Sequence, residues 1–388
     1  MEKLYRDITR EVSTSNKKFE SPDTAHMSIL LTGATGHLGS YILDWLQRET
    51  RVSHIYCLNR GADGAQRQSA GQKSRGLGQL DPSKITNLTA NLAQPYLGLK
   101  LEDYNRLTEQ ITDVVHVAWK VDFNLALDSF LEHIVGVQRL LEFCSNTRFG
   151  AHLFFVSSIS AVGSLAGNVA EKIYEEWRAP MPTGYGQSKL LAERMIDTIS
   201  IRVGIPATIC RVGQIAGPTS VAGMWPKQEW LPSLLATSKE LGVLPESLGN
   251  NNGLDWIPVD IVGQMISDTV AKTTRQQDGR TRVLHVSSPT TVDWSDLIYT
   301  ISAQLKPEMK IVTLQTWVNK LHECLTRGDN AAQVPAVKLY DFFLGLLDSG
   351  HTATHLEVGG QLKPWEDLLS SKDVQRSWMK NWIRQWGY

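Results

Sequence analysis

The stretch Thr32-Gly33-Ala34-Thr35-Gly36-His37-Leu38-Gly39 follows the apolar run Ser28-Ile29-Leu30-Leu31 and opens the amphipathic run Ser40-Tyr41-Ile42-Leu43-Asp44-Trp45-Leu46. Strand, glycine turn and helix in that order form the phosphate-gripping unit of a dinucleotide fold. The glycines fall as G-x-x-G-x-x-G rather than G-x-G-x-x-G. The physics is unchanged: a tight turn, close backbone approach to a pyrophosphate, and amides at a helix N-terminus facing negative charge.

Outward from this turn, short apolar runs alternate with helical patterns. Ser53–Leu58, Ile85–Leu88, Asp113–Ala118, His152–Val156 and Ala207–Arg211 read as strands, and Arg282–Val286 as a later one. Helical patterns cover Glu102–Gln110, Leu131–Cys144 and Thr183–Arg202, the last stopped by Gly204 and Pro206. Short connections between alternating strands and helices predict an α/β fold with a doubly wound parallel sheet. Regularity lapses over 216–254, rich in Gly, Pro and Trp, and from Thr291 onward the chain reads as helices. The expected organisation is a polar, weakly helical leader over 1–27 (a linker, a helix packed on the body, or a disordered tail), a dinucleotide-binding domain over 28–215 and 255–288, and a smaller, mainly helical substrate lobe over 216–254 and 289–388.

The second strand ends at Asn59-Arg60-Gly61, where such folds meet the adenosine ribose. An acid there bonds a 2′-hydroxyl and a base accommodates a 2′-phosphate. Arg60 therefore predicts NADP(H), and Arg67, Lys73 and Arg75 supply further positive charge nearby.

Ligands bind outside the carboxyl ends of the strands in such sheets. Ser158 falls there, with Ser157 and Ser160 beside it, and Tyr185 and Lys189 stand one helical turn apart on the next helix. A phenol donates a proton to an oxygen gaining hydride charge, a nearby ammonium lowers the phenol's pKa, and a serine hydroxyl orients that oxygen. Tyr96 and Lys100 show the same spacing, but Pro95 and Gly98 break any helix there, and the pair precedes the serine strand.

The chain has 388 residues, 42% of them hydrophobic and 20% charged, with a formal net charge of -1. That charge advertises neither nucleic acid nor an acidic membrane surface. Its four cysteines lack metal-ligand spacing and read as buried thiols of a reducing compartment. No run is long and apolar enough for a membrane span or a signal core, so a cytoplasmic protein without metal is expected. Most of the 12 tryptophans lie from residue 225 onward.

Together the glycine turn, Ser158, Tyr185 and Lys189 resemble the extended short-chain dehydrogenase/reductase superfamily. Val115-His116-Val117-Ala118-Trp119, Phe155-Val156-Ser157-Ser158, Gly184-Tyr185-Gly186-Gln187-Ser188-Lys189, Ala192-Glu193-Arg194, Arg211-Val212-Gly213-Gln214-Ile215 and Asp255-Trp256-Ile257-Pro258-Val259-Asp260 are similar to thioester reductase domains, fungal ones in flavour. Those domains terminate nonribosomal peptide synthetases, polyketide synthases and related carboxylate reductases. The resemblance covers about residues 28–290. Ala90-Asn91-Leu92 departs from the family's Gly-Asp-Leu, and His37 stands where another aromatic is usual.

The resemblance implies a Rossmann-type fold and NADPH-dependent release of a phosphopantetheine-bound acyl or peptidyl thioester as an aldehyde, with onward reduction to an alcohol as a second step. It selects Ser158, five residues before Gly163, with Ser160 as fallback. The implied cofactor residues are Gly33, Thr35, Gly36, His37, Leu38, Gly39, Arg60, Arg67, Asn91, Leu92, Val117 and Ala118, together with Tyr185 and Lys189. Gln214, Trp225, Lys227 and Trp230 are candidates for an acyl and pantetheine channel, against core packing. The implied partner is an upstream carrier domain, the leader is then a linker remnant, and a monomer is expected. Alternatives are another extended dehydrogenase or epimerase, or a redox-silent Dieckmann cyclase. The intact Ser158, Tyr185 and Lys189 argue against the cyclase.

Overall fold

Most of the apolar runs named above line up as one parallel sheet in the computed structural model. It describes residues 1–10, 18–22, 26–273, 281–305, 309–347, 354–359, 363–364 and 366–388. Strands β1 (Met27–Thr32), β2 (Val52–Asn59), β3 (Ile85–Thr89), β4 (Asp113–His116), β5 (His152–Ser158), β6 (Ala207–Val212) and β7 (Thr281–Val286) make a seven-stranded sheet. Its spatial order is β7-β6-β5-β4-β1-β2-β3, with every neighbouring pair parallel. The chain winds outward in both directions from the middle, so the doubly wound fold expected from the alternation is present, with its switch point between β1 and β4.

The chain divides into two compact units. The first comprises Met1–Gly213, Asp260–Val286 and Leu356–Gly359. It holds the sheet and the helices α1 (Glu2–Arg10), α2 (His37–Arg48), α3 (Gly64–Arg75), α4 (Leu101–Gln110), α5 (Leu131–Asn146) and α6 (Gly184–Val203). Strands buried on both faces read as nearly continuous apolar runs, which is why they were legible. Leu30, Val114, Leu153, Phe155, Ile209 and Val283 from five strands join Ile134, Leu141, Leu191 and Met195 of α5 and α6 in one core.

Two local readings change, and a third is narrowed. The fourth strand ends at His116, two residues earlier than its apolar pattern, because Val117 N–H bonds Thr32 O and Ala118 N–H bonds Thr32 Oγ1, turning the chain over the glycine loop. Gly64–Arg75 is a helix that its polar sequence hides. Within the stretch read as a leader, α1 packs on α6: Ile8 enters the core, Tyr5 Oη and Thr198 Oγ1 lie 2.6 Å apart, and Arg194 stacks on Tyr5 and Trp177. The rest of that stretch lies partly outside the described residues. The rejected Tyr96/Lys100 pair shares no helix face, since Tyr96 and Leu97 have φ of 55° and 59° and Lys100 is the N-cap of α4.

The second unit comprises Gln214–Val259, Ser287–His355 and Gly360–Tyr388. It is mainly helical: α7 (Trp230–Leu241), α9 (Trp294–Leu305), α10 (Leu314–Arg327), α11 (Tyr340–Gly345), α12 (Glu366–Ser370) and α13 (Lys372–Trp386), whereas α8 (Val259–Lys272) lies in the first unit from its second residue on. Short strands were not expected beyond Thr291, yet Lys310–Val312 pairs in parallel with Val243–Pro245. Three residues carry too little pattern to show in sequence. Trp225, Trp294, Trp317, Trp382 and Trp386 are fully buried, so much of the tryptophan richness is core packing. All four cysteines are buried thiols.

Candidate active site

The glycine turn connects β1 to α2 at the switch point. Gly33 has φ +80°, and a Cβ there would meet Ala118 N at 2.7 Å. A Cβ on Gly39 would sit 2.0 Å from Gly33 O. Both positions therefore exclude side chains, and Gly36 takes the N-cap of α2 without a capping side chain. The free amides of that turn are the groups a pyrophosphate would meet. Thr35 and Leu38 belong to the same turn. The backbone cradle that side chains would fill fits a dinucleotide.

His37 stands edge-on to Tyr41, with ring centroids 5.8 Å apart. Burial, helped by the charge of Arg75, pushes the imidazole down to about 3. Arg75 also acts on Tyr41, so of the basic residues on α3 its charge reaches the glycine turn. Arg60, just past the end of β2, is exposed, and Arg67 is exposed on α3. Asn91, past the end of β3, is exposed, and its Oδ1 accepts from Ala93 N–H at 3.1 Å. Leu92 lies against Gly136 of α5.

Ser158, Tyr185 and Lys189 come together at the carboxyl end of β5, all within the first unit. Thr183 caps α6 by accepting from Gly186 N–H at 3.1 Å, which starts the helix just before Tyr185. Ser158 lies close enough to Tyr185 to favour its ionised form. Burial outweighs that and pushes the phenol up to about 12. The tyrosine is thus held as the neutral acid, and lysine is not what dominates its ionisation here. Ser158 Oγ also accepts from Ser160 N–H at 3.1 Å, so Ser160 serves the turn through its backbone.

Lys189 is 2% exposed, and burial drives its ammonium well below the usual lysine range, opposed by Glu193. It donates to Val156 O at 2.7 Å. Two groups unsuspected as site residues surround this set. Trp119 lies under the lysine. Phe123 is half exposed and places its ring 5.1 Å from that of Tyr185, edge-on. Trp119 ends one of the strings that resemble thioester reductase domains, but nothing in the sequence marks either residue as part of the site.

Beneath them runs a buried ion pair. Arg211 of β6 and Glu193 of α6 have side chains 0% exposed, with Arg211 donating to Glu193 Oε2 at 2.7 Å. Glu193 Oε1 accepts from Ser157 Oγ at 2.5 Å, and Arg211 also donates to Lys172 O at 2.9 Å. Ser157 thus points to the pair while its neighbour Ser158 points to Tyr185.

His116, at the end of β4, pairs through Nδ1 with Thr32 Oγ1 at 2.7 Å. Burial first, then the charges of Lys189 and His133, push it down to about 3. The unfolded ring titrates near 6.5, so the unfolded state binds more protons below that pH and stability rises with pH. His116 contributes fully above about 6.5, and its contribution falls by about 1.4 kcal/mol per pH unit as acidity increases toward the folded value. His116→Gln is expected to flatten the acid side of a urea-midpoint profile between about pH 6.5 and 4. An unchanged slope would remove His116 from the acid response.

Gln214, Trp225, Lys227 and Trp230 gather in the second unit. Trp230 Nε1 donates to Gln214 Oε1 at 3.2 Å, and Lys227 Nζ donates to Trp386 O at 2.6 Å. Trp225 is fully buried, donates to Glu229 at 2.6 Å and meets Trp382 edge-on at 5.2 Å. It serves as a core residue. Among the described residues no cluster of His, Cys, Asp or Glu fits a metal, and no helix is long and apolar enough to cross a membrane.

The family model described as male sterility protein matches residues 31–266. A carboxylic acid reductase of Neurospora crassa is 32% identical over 395 residues, covering 100% of this chain and 38% of that protein. The chain thus spans well under half of that relative's length. Among solved structures, the terminal R domain from the myxalamid PKS-NRPS biosynthetic pathway superposes with a TM-score of 0.79 at 23% identity, covering 98% of both chains. The PhqB reductase domain from Penicillium fellutanum gives 0.75 at 18% identity over 99% of this chain and 97% of that one.

Proposed function

This chain belongs to the male sterility protein family, and from that premise we propose that it is an NADPH-dependent reductase of carrier-bound acyl or peptidyl thioesters, releasing an aldehyde. The observation that carries the reading is the convergence of Ser158, Tyr185 and Lys189 at the end of β5 in the same unit as a glycine turn whose Cβ positions are filled by backbone. The relative described as a carboxylic acid reductase and the structural neighbours described as reductase domains support it.

The amides of Gly33–Gly39 would hold the pyrophosphate, and Arg60 and Arg75 the charge of a 2′-phosphate. When bound, NADPH supplies the hydride. Tyr185, held as the neutral acid, donates its proton to the oxygen of the carbonyl under reduction. Ser158 orients that oxygen through a second hydrogen bond. Lys189 would hold the nicotinamide ribose. The reduced carbon, now a hemithioacetal, returns its hydroxyl proton to the Tyr185 phenolate and breaks its carbon–sulfur bond, leaving as the aldehyde while the thiolate departs on the pantetheine arm and takes a proton from water. No acyl-enzyme is needed, in keeping with the absence of a Gly-x-Ser-x-Gly elbow from the sequence. The partner is a carrier domain that delivers its thioester on a phosphopantetheine arm, and the chain works as a monomer in the cytoplasm.

The test mixes the chain with NADPH and acyl-pantetheine or acyl-carrier thioesters, following loss of NADPH absorbance and the product. Aldehyde formation is expected. Turnover of a sugar nucleotide with no thioester oxidising NADPH would place the chain among the epimerases and dehydrogenases instead. For Arg60→Ala, NADPH Kd is expected to rise about tenfold or more, the loss of one charge-assisted phosphate contact, with NADH little changed. Equal losses for both would reject the 2′-phosphate role.

A further inference from the structure

Trp119 immediately follows the chain reversal at the end of β4, and its indole is the nearest aromatic face to the Lys189 ammonium. Nζ lies 4.2 Å from the Trp119 ring centroid and 4.6 Å from that of Phe155 on β5. The Tyr185 ring is more distant, at 5.9 Å. Nζ donates a hydrogen bond to Val156 O at 2.7 Å. The carboxylate nearest in sequence, Glu193 one turn along α6, is engaged by Arg211 and Ser157. A fully buried ammonium therefore sits on one carbonyl and two ring faces. Such faces stabilise a desolvated cation, tryptophan most strongly.

The indole is itself fixed. Its Nε1 donates to Ser188 Oγ at 3.3 Å, and Ser188 Oγ donates to Tyr185 O at 2.7 Å. Phe155 meets it edge-on at 5.6 Å, and His133 of α5 lies against it at 5.1 Å. The loop after β4 is thereby tied to the turn of α6 that carries both Tyr185 and Lys189.

We propose that Trp119 is a positioning residue for Lys189, its ring face holding the ammonium charged and its Nε1–Ser188 bond setting the helix turn on which Tyr185 and Lys189 stand. This rests on the reading of Lys189 as the residue that grips the nicotinamide ribose. The groups that face Lys189 are His116 from β4, His133 from α5, Phe155 and the Val156 carbonyl from β5, and Tyr185 and Glu193 from α6. His116 and His133 are pushed down to about 3 and about 4, so both are neutral above pH 6.

The experiment measures NADPH Kd by fluorescence across pH 6 to 10 for the whole chain, beside the pH profile of thioester-dependent NADPH oxidation. In Trp119→Leu the ammonium loses its main ring face. The pH at which NADPH affinity and rate decline is expected to fall by about one unit or more, since one unit corresponds to about 1.4 kcal/mol. Trp119→Phe restores a face without the Nε1 donor and is expected to bring the pH limb most of the way back, while leaving kcat below wild type. If Trp119→Leu does not fold, Trp119→Met makes the same comparison, filling volume without a ring face. An unshifted limb in a folded Leu or Met variant would overturn the proposal, as would a Phe variant no different from them. If the wild type oxidises NADPH with no thioester, the functional reading fails, while the Kd profile still decides the role of Trp119.

Discussion

Tyr185→Phe is expected to lower thioester-dependent NADPH oxidation by about 10²–10⁴-fold, the range for a lost general acid. The variant deletes one oxygen from a ring that is 7% exposed and packed against Phe123 and Phe130, so folding and packing should be preserved. NADPH Kd should stay within about twofold, because in the proposed reading the glycine turn and the bases beside it, not the Tyr185 hydroxyl, hold the dinucleotide. In wild type the phenol is pushed up to about 12 by burial, so it is the donor form throughout the neutral range. Single-turnover measurement of hydride transfer separates this from a slower product release. A variant that keeps near-wild-type transfer would show that another group protonates the oxygen. Ser158, beside Tyr185 at the end of β5, would be the next residue to replace.

The second large effect is on stability. Arg211→Met leaves the Glu193 carboxylate buried with its guanidinium partner removed, and Ser157 alone cannot replace a cation. Breaking one side of a buried pair costs about 3–5 kcal/mol, a large share of the 5–15 kcal/mol that holds a typical domain. The urea midpoint should fall accordingly. Glu193→Gln together with Arg211→Met should recover much of the loss, because two neutral side chains of similar volume remove the stranded charge. If the double variant is no better than the single one, the cost is packing against Tyr174 and the Lys172 segment rather than the uncompensated charge. Activity should fall in the single variant as well, since Ser157 adjoins Ser158 and Glu193 lies one turn from Lys189.

Much of the first unit was legible because its chemistry is local. Thr32–Gly39 announces a strand-turn-helix through neighbouring residues, and Tyr185 and Lys189 share a helix face by their spacing alone. The apolar runs of β1, β2, β5 and β6 name themselves because the sheet is buried on both sides. What stayed hidden depends on residues far apart in sequence. The polar stretch Gly64–Arg75 becomes a helix once Gln68 and Gln72 are buried against Asn59 and Ser40. Trp225 offers the same side chain to a ligand channel or to a core, and only its burial among Trp256, Trp382 and Trp386 decides for the core. Phe123 and Trp119 lie more than sixty residues before Tyr185, and nothing local links them to it.

By itself, then, the sequence determined a parallel doubly wound sheet, a glycine turn of dinucleotide type, and the serine, tyrosine and lysine that the fold brings together at the end of β5. Backbone periodicity and glycine sterics act over a few residues and are written in order. Tertiary structure alone decided the surroundings that tune those groups. Desolvation depends on everything packed around a side chain, and the Glu193–Arg211 pair, the ring faces on Lys189 and the neutral state of His116 all arise from that packing.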